Sequence, residues 1–196
     1  MSKAVLISIR PKWCEKIISG EKTIEVRKTR PKMDTPFKCY IYCTQSADML
    51  WILKERERSL HPDKIADVFK AAKCGGAYRG NGKIIGEFTC NRVTNLFSNS
   101  RFWLDEDDVL HTCLSAAEMR KYANGANGLY GWHISNLKIY DPPRELDDFR
   151  RACKNDWWCE SCAMYREHNG TCGNDSLQIR CPPQSWCYVE EELWKD

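Results

Sequence analysis

Five segments of the chain have the sequence pattern of β-strands, and only short segments between them have that of helices. Alternating or continuous apolar residues typical of strands occupy 4–9, 23–28, 37–44, 83–93 and 129–140. Strands and helices do not alternate regularly, which argues against a doubly wound parallel sheet. The sequence therefore predicts an α+β fold that is mainly β, in the form of a small, partly open β-barrel with short helices at its junctions.

Three short helices are expected between the strands. They begin at residues that favour a helix N-terminus, namely Pro11, Pro62 and Ser115. The middle helix lies in a less regular segment, 45–83, which we interpret as an insertion between two strands. The acidic run at 105–108 is expected to be a solvated loop, and the Asp-Pro-Pro sequence at 141–143 is expected to end the last strand.

The length and composition of the chain bound its location and its cysteine chemistry. No apolar segment of the 196 residues approaches the ~20 residues that span a membrane, and the N-terminal apolar run is too short for a secretion signal. A cytoplasmic location is therefore expected. In that compartment the twelve cysteines are more often thiols or metal ligands than disulfides.

Positive charge is concentrated at the start of the chain. Residues 1–38 hold ten Lys and Arg against four Asp and Glu, whereas the net charge of the whole chain is +3. A basic segment in a near-neutral protein is typical of proteins that bind an anionic partner such as nucleic acid. A solvated surface gives the same pattern, so both interpretations stay open on charge alone.

The segment 8–32 brings charged and aromatic residues together at the start of the second strand. Glu25 and Arg27 lie two residues apart and should share one strand face, opposite Ile24 and Val26. The residues expected to surround them are Arg10, Lys12, Trp13 and Lys22. Lysine and arginine suit phosphate, a carboxylate can accept a hydrogen bond from a base amino group, and tryptophan offers a stacking surface. The alternative is that Glu25 and Arg27 only pair with each other while Trp13 packs in the core.

The same segment resembles a known family. The hallmark of ASCH domains, members of the PUA-like superfamily, is Gly-x-Lys-x-x-Glu-x-Arg, present here as Gly20-Glu21-Lys22-Thr23-Ile24-Glu25-Val26-Arg27. The first strand and helix and residues 131–140 also resemble the family, so the likeness covers about 3–145. It implies a β-barrel with a cleft beside the motif and RNA or a modified nucleoside as ligand. Carried onto this chain, the cleft residues are Lys22, Glu25 and Arg27, with Arg10, Trp13, Trp132 and His133 around them.

The resemblance leaves the question of catalysis open. Some small ASCH proteins are amidohydrolases of acylated cytidines, and they resemble this chain in having a lysine at Lys22. The position of their threonine nucleophile is occupied here by Glu25, which removes the expected covalent chemistry. We therefore favour a binding protein. A hydrolase that uses Lys22 and Glu25, either an amidohydrolase or a ribonuclease, is the first alternative, and a protein-interaction adaptor is the second.

The composition changes at residue 147, and we divide the chain into a domain at 1–146 and a cysteine-rich extension at 147–196. Half of the twelve cysteines lie in this last quarter, where Cys159 and Cys162 have the spacing of half a zinc site. The predicted structural zinc ligands are Cys159, Cys162, Cys172 and Cys187, with Cys153, Cys181 or, less favoured, His168 as replacements. An iron–sulfur cluster, disulfides and free thiols are the alternatives. The closing residues resemble the tails of phage- and prophage-type ASCH proteins.

Overall fold

A computed structural model describes residues 2–60, 68–98, 101–102, 106–126, 128–153, 162–163 and 174–191. Its strands are β1 (Lys3–Ile9), β2 (Ile24–Arg27), β3 (Phe37–Cys43), β4 (Trp51–Leu53), β5 (Ala77–Arg79), β6 (Ile84–Ser98), β7 (Arg101–Phe102), β8 (Gly128–Arg144) and β9 (Trp186–Glu190). Its helices are α1 (Pro11–Ile18), α2 (Glu55–Leu60), α3 (Val68–Lys73), α4 (Glu106–Thr112) and α5 (Ala116–Ala123). The mainly β, mixed composition predicted from the sequence is thus confirmed.

Seven of these strands form one mixed sheet. Its order is β2-β8-β6-β3-β1-β9, and β7 pairs with β6 at one end. β1 and β3 are parallel, whereas the other pairs are antiparallel. The long strands β6 and β8 change register at several points along their pairing, and such irregularities bend a sheet. β4 and β5 form a separate two-stranded sheet in the predicted insertion.

The predicted barrel is not closed. β2 and β9 are the two ends of the sheet order, and no ladder of the described strands joins them. Side chains cross this gap instead. The Arg27 guanidinium at the end of β2 donates to the Ser8 carbonyl oxygen on β1 over 2.6 Å, and the Trp186 indole on β9 donates to the Thr29 hydroxyl over 2.9 Å. We call this unpaired boundary the seam.

The core has a layer on each side of β1. Val5, Ile7 and Ile9 join α1 residues in one buried cluster, whereas Ala4 and Leu6 join another. Successive strand residues face opposite sides of a sheet, so a strand buried on both sides is apolar throughout. Residues 4–9 are all buried and, except for Ser8, all apolar, which explains why the first strand has an almost continuous apolar sequence.

Two local predictions were wrong. Residues 106–108 of the acidic run form the start of helix α4 rather than a loop, and residue 105 lies outside the described residues. β8 does not end at Asp141 but continues through both prolines to Arg144. The register between β6 and β8 shifts between the pairs Ile84–Arg144 and Gly86–Ile139. The prolines lie at this irregularity, where a missing backbone N–H is tolerated.

Other predictions fall partly or wholly outside the described residues. The start of the helix expected from Pro62 lies outside the described residues, and its later part is α3. The proposed extension from residue 147 contributes β9, which pairs with β1 in the register Leu6–Cys187. In the described ranges, no helix combines the length and the apolar content needed to cross a membrane.

Candidate functional site

A cavity of about 540 Å³ lies at the seam, between β2 and the end of β1. Its walls come from β1, α1, β2, the loop and helix around α5, and the segment that precedes β9. Five of the eight ligand-binding residues predicted from the sequence line it, namely Arg10, Trp13, Lys22, Glu25 and Arg27. The structure therefore brings together most of the side chains that the motif and its upstream helix supply.

The Glu25 carboxylate lies between two cations. Its Oε1 atom is 3.0 Å from Arg27 Nη2, and its Oε2 atom is 3.4 Å from Lys22 Nζ. The exposed fractions of Lys22, Glu25 and Arg27 are 2%, 5% and 7%. A buried charge is costly unless it is paired, so the two flanking cations are what allows this carboxylate to be buried here. Glu25 and Arg27 therefore pair with each other and also line the cavity.

The Lys22 ammonium group is committed to the protein itself. Nζ donates to the Ile24 carbonyl oxygen over 2.8 Å and to the Thr112 carbonyl oxygen over 2.7 Å. The Glu25 carboxylate, 3.4 Å away, pairs with it by charge without a hydrogen bond. Lys22 therefore ties β2 to the end of α4 and balances the charge of Glu25, and its two hydrogen bonds to backbone carbonyl oxygens fix the position of the ammonium group.

Two polar atoms of the cavity wall have no hydrogen-bond partner among the described residues. They are Oε2 of Glu25 and Nε of Arg27, an acceptor and a donor on neighbouring side chains of one strand face. Both side chains are more than nine-tenths buried. Buried polar groups in folded proteins are almost always paired, so these two atoms are suited to a ligand that supplies one donor and one acceptor.

Two aromatic side chains flank the charged group. Trp13 from α1 and Tyr122 from α5 both line the cavity. Lys12 Nζ lies 4.7 Å from the centre of the Trp13 ring, and Lys28 Nζ lies 5.3 Å from that of Tyr122. Lys12 is therefore beside the site but is not one of the residues that line the cavity. Aromatic faces next to cations are suited to a planar ligand that carries negative charge.

Trp132 and His133 were expected beside the cleft, but neither residue lines the cavity. Trp132 has no exposed surface and packs edge-on against Phe37 and Trp186, with ring centres 5.8 and 5.9 Å away. It is a core residue because β8 turns this face toward α1 and β3. His133 follows it in the chain and therefore points to the opposite face of the sheet, away from the cavity.

The hydrogen bonds of His133 show that this histidine cannot activate the neighbouring Thr94 as a nucleophile. Nε2 lies 3.1 Å from the Thr94 hydroxyl, and Nδ1 lies 3.3 Å from Arg92 Nη2. Arginine can only donate, so Nδ1 is the acceptor and Nε2 carries the proton of the neutral ring. An imidazole in this state cannot take a proton from Thr94. Burial and the Arg92 charge lower the pKa of His133, which keeps the ring neutral.

Seven residues of the cavity wall were not predicted from the sequence. They are Ser8, Ile9, Val26, Thr44, Leu114, Tyr122 and Gln184. Tyr122 lies on α5, the helix predicted to begin at Ser115, where the structure has a capping box. Gln184 carried no signal, since it lies in a polar, proline-containing segment far from the motif.

The zinc site stays a prediction. Cys159, Cys172 and His168 lie outside the described residues, whereas Cys162 is exposed and Cys187 is half-buried on β9. Burial raises the pKa of the Cys187 thiol. The alternative ligands Cys153 and Cys181 form no disulfide, and no group of three or more His, Cys, Asp or Glu side chains within the described ranges is placed to hold a metal. Zinc analysis of the purified protein and of Cys162→Ser would test the prediction.

Comparison with known proteins supports the fold. No protein-family model matches this chain, and no curated protein sequence does either. The crystal structure of the ASCH protein from Zymomonas mobilis is similar, with a TM-score of 0.53 and 16% identity over 96% of this chain and 88% of that one. Two variants of that protein have TM-scores of 0.51 at 15% and 14% identity; they cover 97% and 96% of this chain and 92% and 89% of theirs. The ASCH, PUA-like fold suggested by the motif is thereby confirmed.

Proposed function

We propose that this protein binds RNA or a modified nucleoside through the cavity at the seam, one nucleotide unit at a time. The observation that carries the proposal is that Glu25 Oε2 and Arg27 Nε make no hydrogen bond among the described residues. Both side chains line a cavity that is also lined by the aromatic residues Trp13 and Tyr122. A nucleobase edge supplies neighbouring donors and acceptors, and its faces stack on aromatic rings. Glu25 and Arg27 would hydrogen-bond the base, and Trp13 and Tyr122 would contact its faces.

The size and the charge of the cavity support the same class of ligand. A volume of about 540 Å³ falls within the ~300–1,000 Å³ typical of small-molecule sites. The ionised side chains of its wall are Arg10, Lys22, Arg27 and Glu25, which leaves a surplus of positive charge. Arg10 is exposed at the rim, where a guanidinium can pair with phosphate. A phosphate on the ligand would thus lie outside the buried group.

Binding of a fluorescein-labelled single-stranded RNA of ten nucleotides would test the proposal. Arg10→Gln should weaken binding about tenfold and reduce the slope of log K against log salt by about one, because one phosphate contact is lost. Arg79→Gln is the matched control, since Arg79 is exposed on β5 and does not line the cavity. If neither variant changes affinity or slope, the cavity is not the binding site, and the adaptor alternative gains support.

A hydrolase is the second candidate. Glu25 lines a ligand-sized cavity, and a carboxylate in such a wall can act as a general base. Thr23 does not line the cavity, and Lys22 is held by backbone carbonyl oxygens, so neither supports a nucleophile. Incubation with an acylated cytidine decides between the two functions. Release of cytidine that survives Thr23→Ala but not Glu25→Gln would establish hydrolysis.

A further inference from the structure

Residues 183–185, which we call the strap, contribute Gln184 to the wall of the cavity. Ser8 on β1 holds the strap at two points: its hydroxyl donates to the Pro183 carbonyl oxygen over 2.6 Å, and its backbone N–H donates to the Ser185 carbonyl oxygen over 2.9 Å. The Ser185 hydroxyl lies 3.4 Å from Arg27 Nη1. The strap thus contacts both β1 and β2, on the two sides of the seam.

The chain is fixed again immediately after the strap. Trp186 begins β9, pairs with Ile7 of β1 and donates its indole N–H to the Thr29 hydroxyl. Gln184 therefore lies between backbone groups that are held on both sides, so its side chain extends from a fixed backbone position. A loop restrained in this way loses little conformational entropy when it contacts a ligand.

The Gln184 side chain is free to interact with a ligand. It lines the cavity, it is exposed, and the described part of the chain gives its carboxamide no hydrogen bond. The other polar side chains of the wall are either ionised or hydroxyl groups, and the Ser8 hydroxyl is used by the strap. A carboxamide differs from all of these because it offers two donors and one acceptor without charge.

We propose that the strap selects the ligand and that Gln184 is its specificity-determining residue, hydrogen-bonding the polar edge of a nucleobase. This inference rests on the proposed function. Arg10 can bind phosphate, which is common to all nucleotides, and Glu25 and Arg27 offer the base one acceptor and one donor. The carboxamide adds two donors and an acceptor, and so distinguishes bases by the order of their own donors and acceptors. A well-formed amide–base pair discriminates by about 5- to 150-fold.

Affinities for the four nucleoside monophosphates, measured by isothermal titration calorimetry, test the inference. The intact chain should prefer one or two of the four bases, and Gln184→Ala should reduce that preference at least fivefold. Affinity for ribose 5-phosphate, which has no base, should stay unchanged in Gln184→Ala. Gln45→Ala is the matched control, because Gln45 is exposed, adjoins cavity residue Thr44 and does not itself line the cavity.

The possible results separate the two proposals. If the intact chain binds nucleotides with a base preference that Gln184→Ala leaves unchanged, or binds all four equally, the strap inference is wrong and the proposed function stands. If the intact chain binds none of the four nucleotides and no RNA, both are wrong. Gln184 is exposed and hydrogen-bonds nothing in the described ranges, so the variant should keep the melting temperature of the intact chain.

Discussion

Replacing Lys22 by methionine is expected to destabilise the fold strongly, because the ammonium group hydrogen-bonds two backbone carbonyl oxygens and pairs with the buried Glu25. Methionine keeps most of the length and all of the apolar character of the side chain. It removes the donor that satisfies the Ile24 and Thr112 carbonyl oxygens and one of the two cations beside Glu25. Arg27 remains, so the Glu25 carboxylate keeps one partner.

The expected size of this effect follows from burial. Removing one partner from a buried ion pair costs about 3–5 kcal/mol, and the two orphaned carbonyl oxygens contribute to the same loss. A free energy of unfolding of about 5–15 kcal/mol is typical of folded proteins, so Lys22→Met should remove a large fraction of it. For a chain of this length the melting temperature should fall by roughly 6–20 °C.

Lys16→Met provides the matched control. Lys16 pairs with Glu21 at 2.6 Å, a shorter distance than that between Lys22 and Glu25, but the side chains of Lys16 and Glu21 are 32% and 54% exposed. An exposed pair is screened and contributes little. Urea denaturation followed by circular dichroism would compare the two variants. If Lys22→Met unfolds at the same urea concentration as Lys16→Met, the structural role of Lys22 is refuted, and a purely catalytic or ligand-binding role becomes the better explanation.

Three further predictions concern the helix cap, a histidine and the thiols. Ser115→Ala should lower the melting temperature by about 2–4 °C, because the α5 capping box is lost. As the pH falls from 7 to 5, the intact chain should lose more stability than His133→Gln. Burial and Arg92 lower the pKa of His133, so the unfolded chain takes up a proton first, below about pH 6.5. Iodoacetamide at pH 8 should modify exposed Cys74 but not Cys14, whose pKa is raised by burial.

Each of these has a result that contradicts it. An unchanged melting temperature in Ser115→Ala would mean that water replaces the cap without cost. Parallel stability–pH curves for the intact chain and His133→Gln would show that the ring is free to be protonated in the fold. Peptide mapping that finds Cys14 modified as fast as Cys74 would contradict the burial of α1 against the sheet.

Local sequence signals were sufficient for the elements that form the charged group. Gly20 has a φ of +79°, a left-handed conformation that glycine adopts readily and that ends α1. β2 follows after three residues, and its alternation places Glu25 and Arg27 on one face, as predicted. The helix stop at Gly20 and the short strand after it could therefore be located without a structure.

What could not be predicted depends on long-range packing. None of the described residues that line the cavity belongs to β8; the course of β8 depends on how it bends together with β6, and no local pattern encodes that bend. Trp132 was therefore assigned to the cleft although it packs in the core. Likewise, Gln184 and Lys22 lie 162 positions apart, and only the pairing of β9 with β1 brings the strap to the motif. The open seam itself is a property of the whole sheet.

The pairing of β1 with β9 has a consequence for the order of events during synthesis. β1 leaves the ribosome before β9, which follows roughly 10–35 s later at about 5–20 residues per second. During that interval Ser8 lacks its strap partners, and the cavity has no wall on that side. A nascent chain therefore acquires the complete pocket only when translation has passed β9. Ligand retention by ribosome-bound chains should begin at that length and not before.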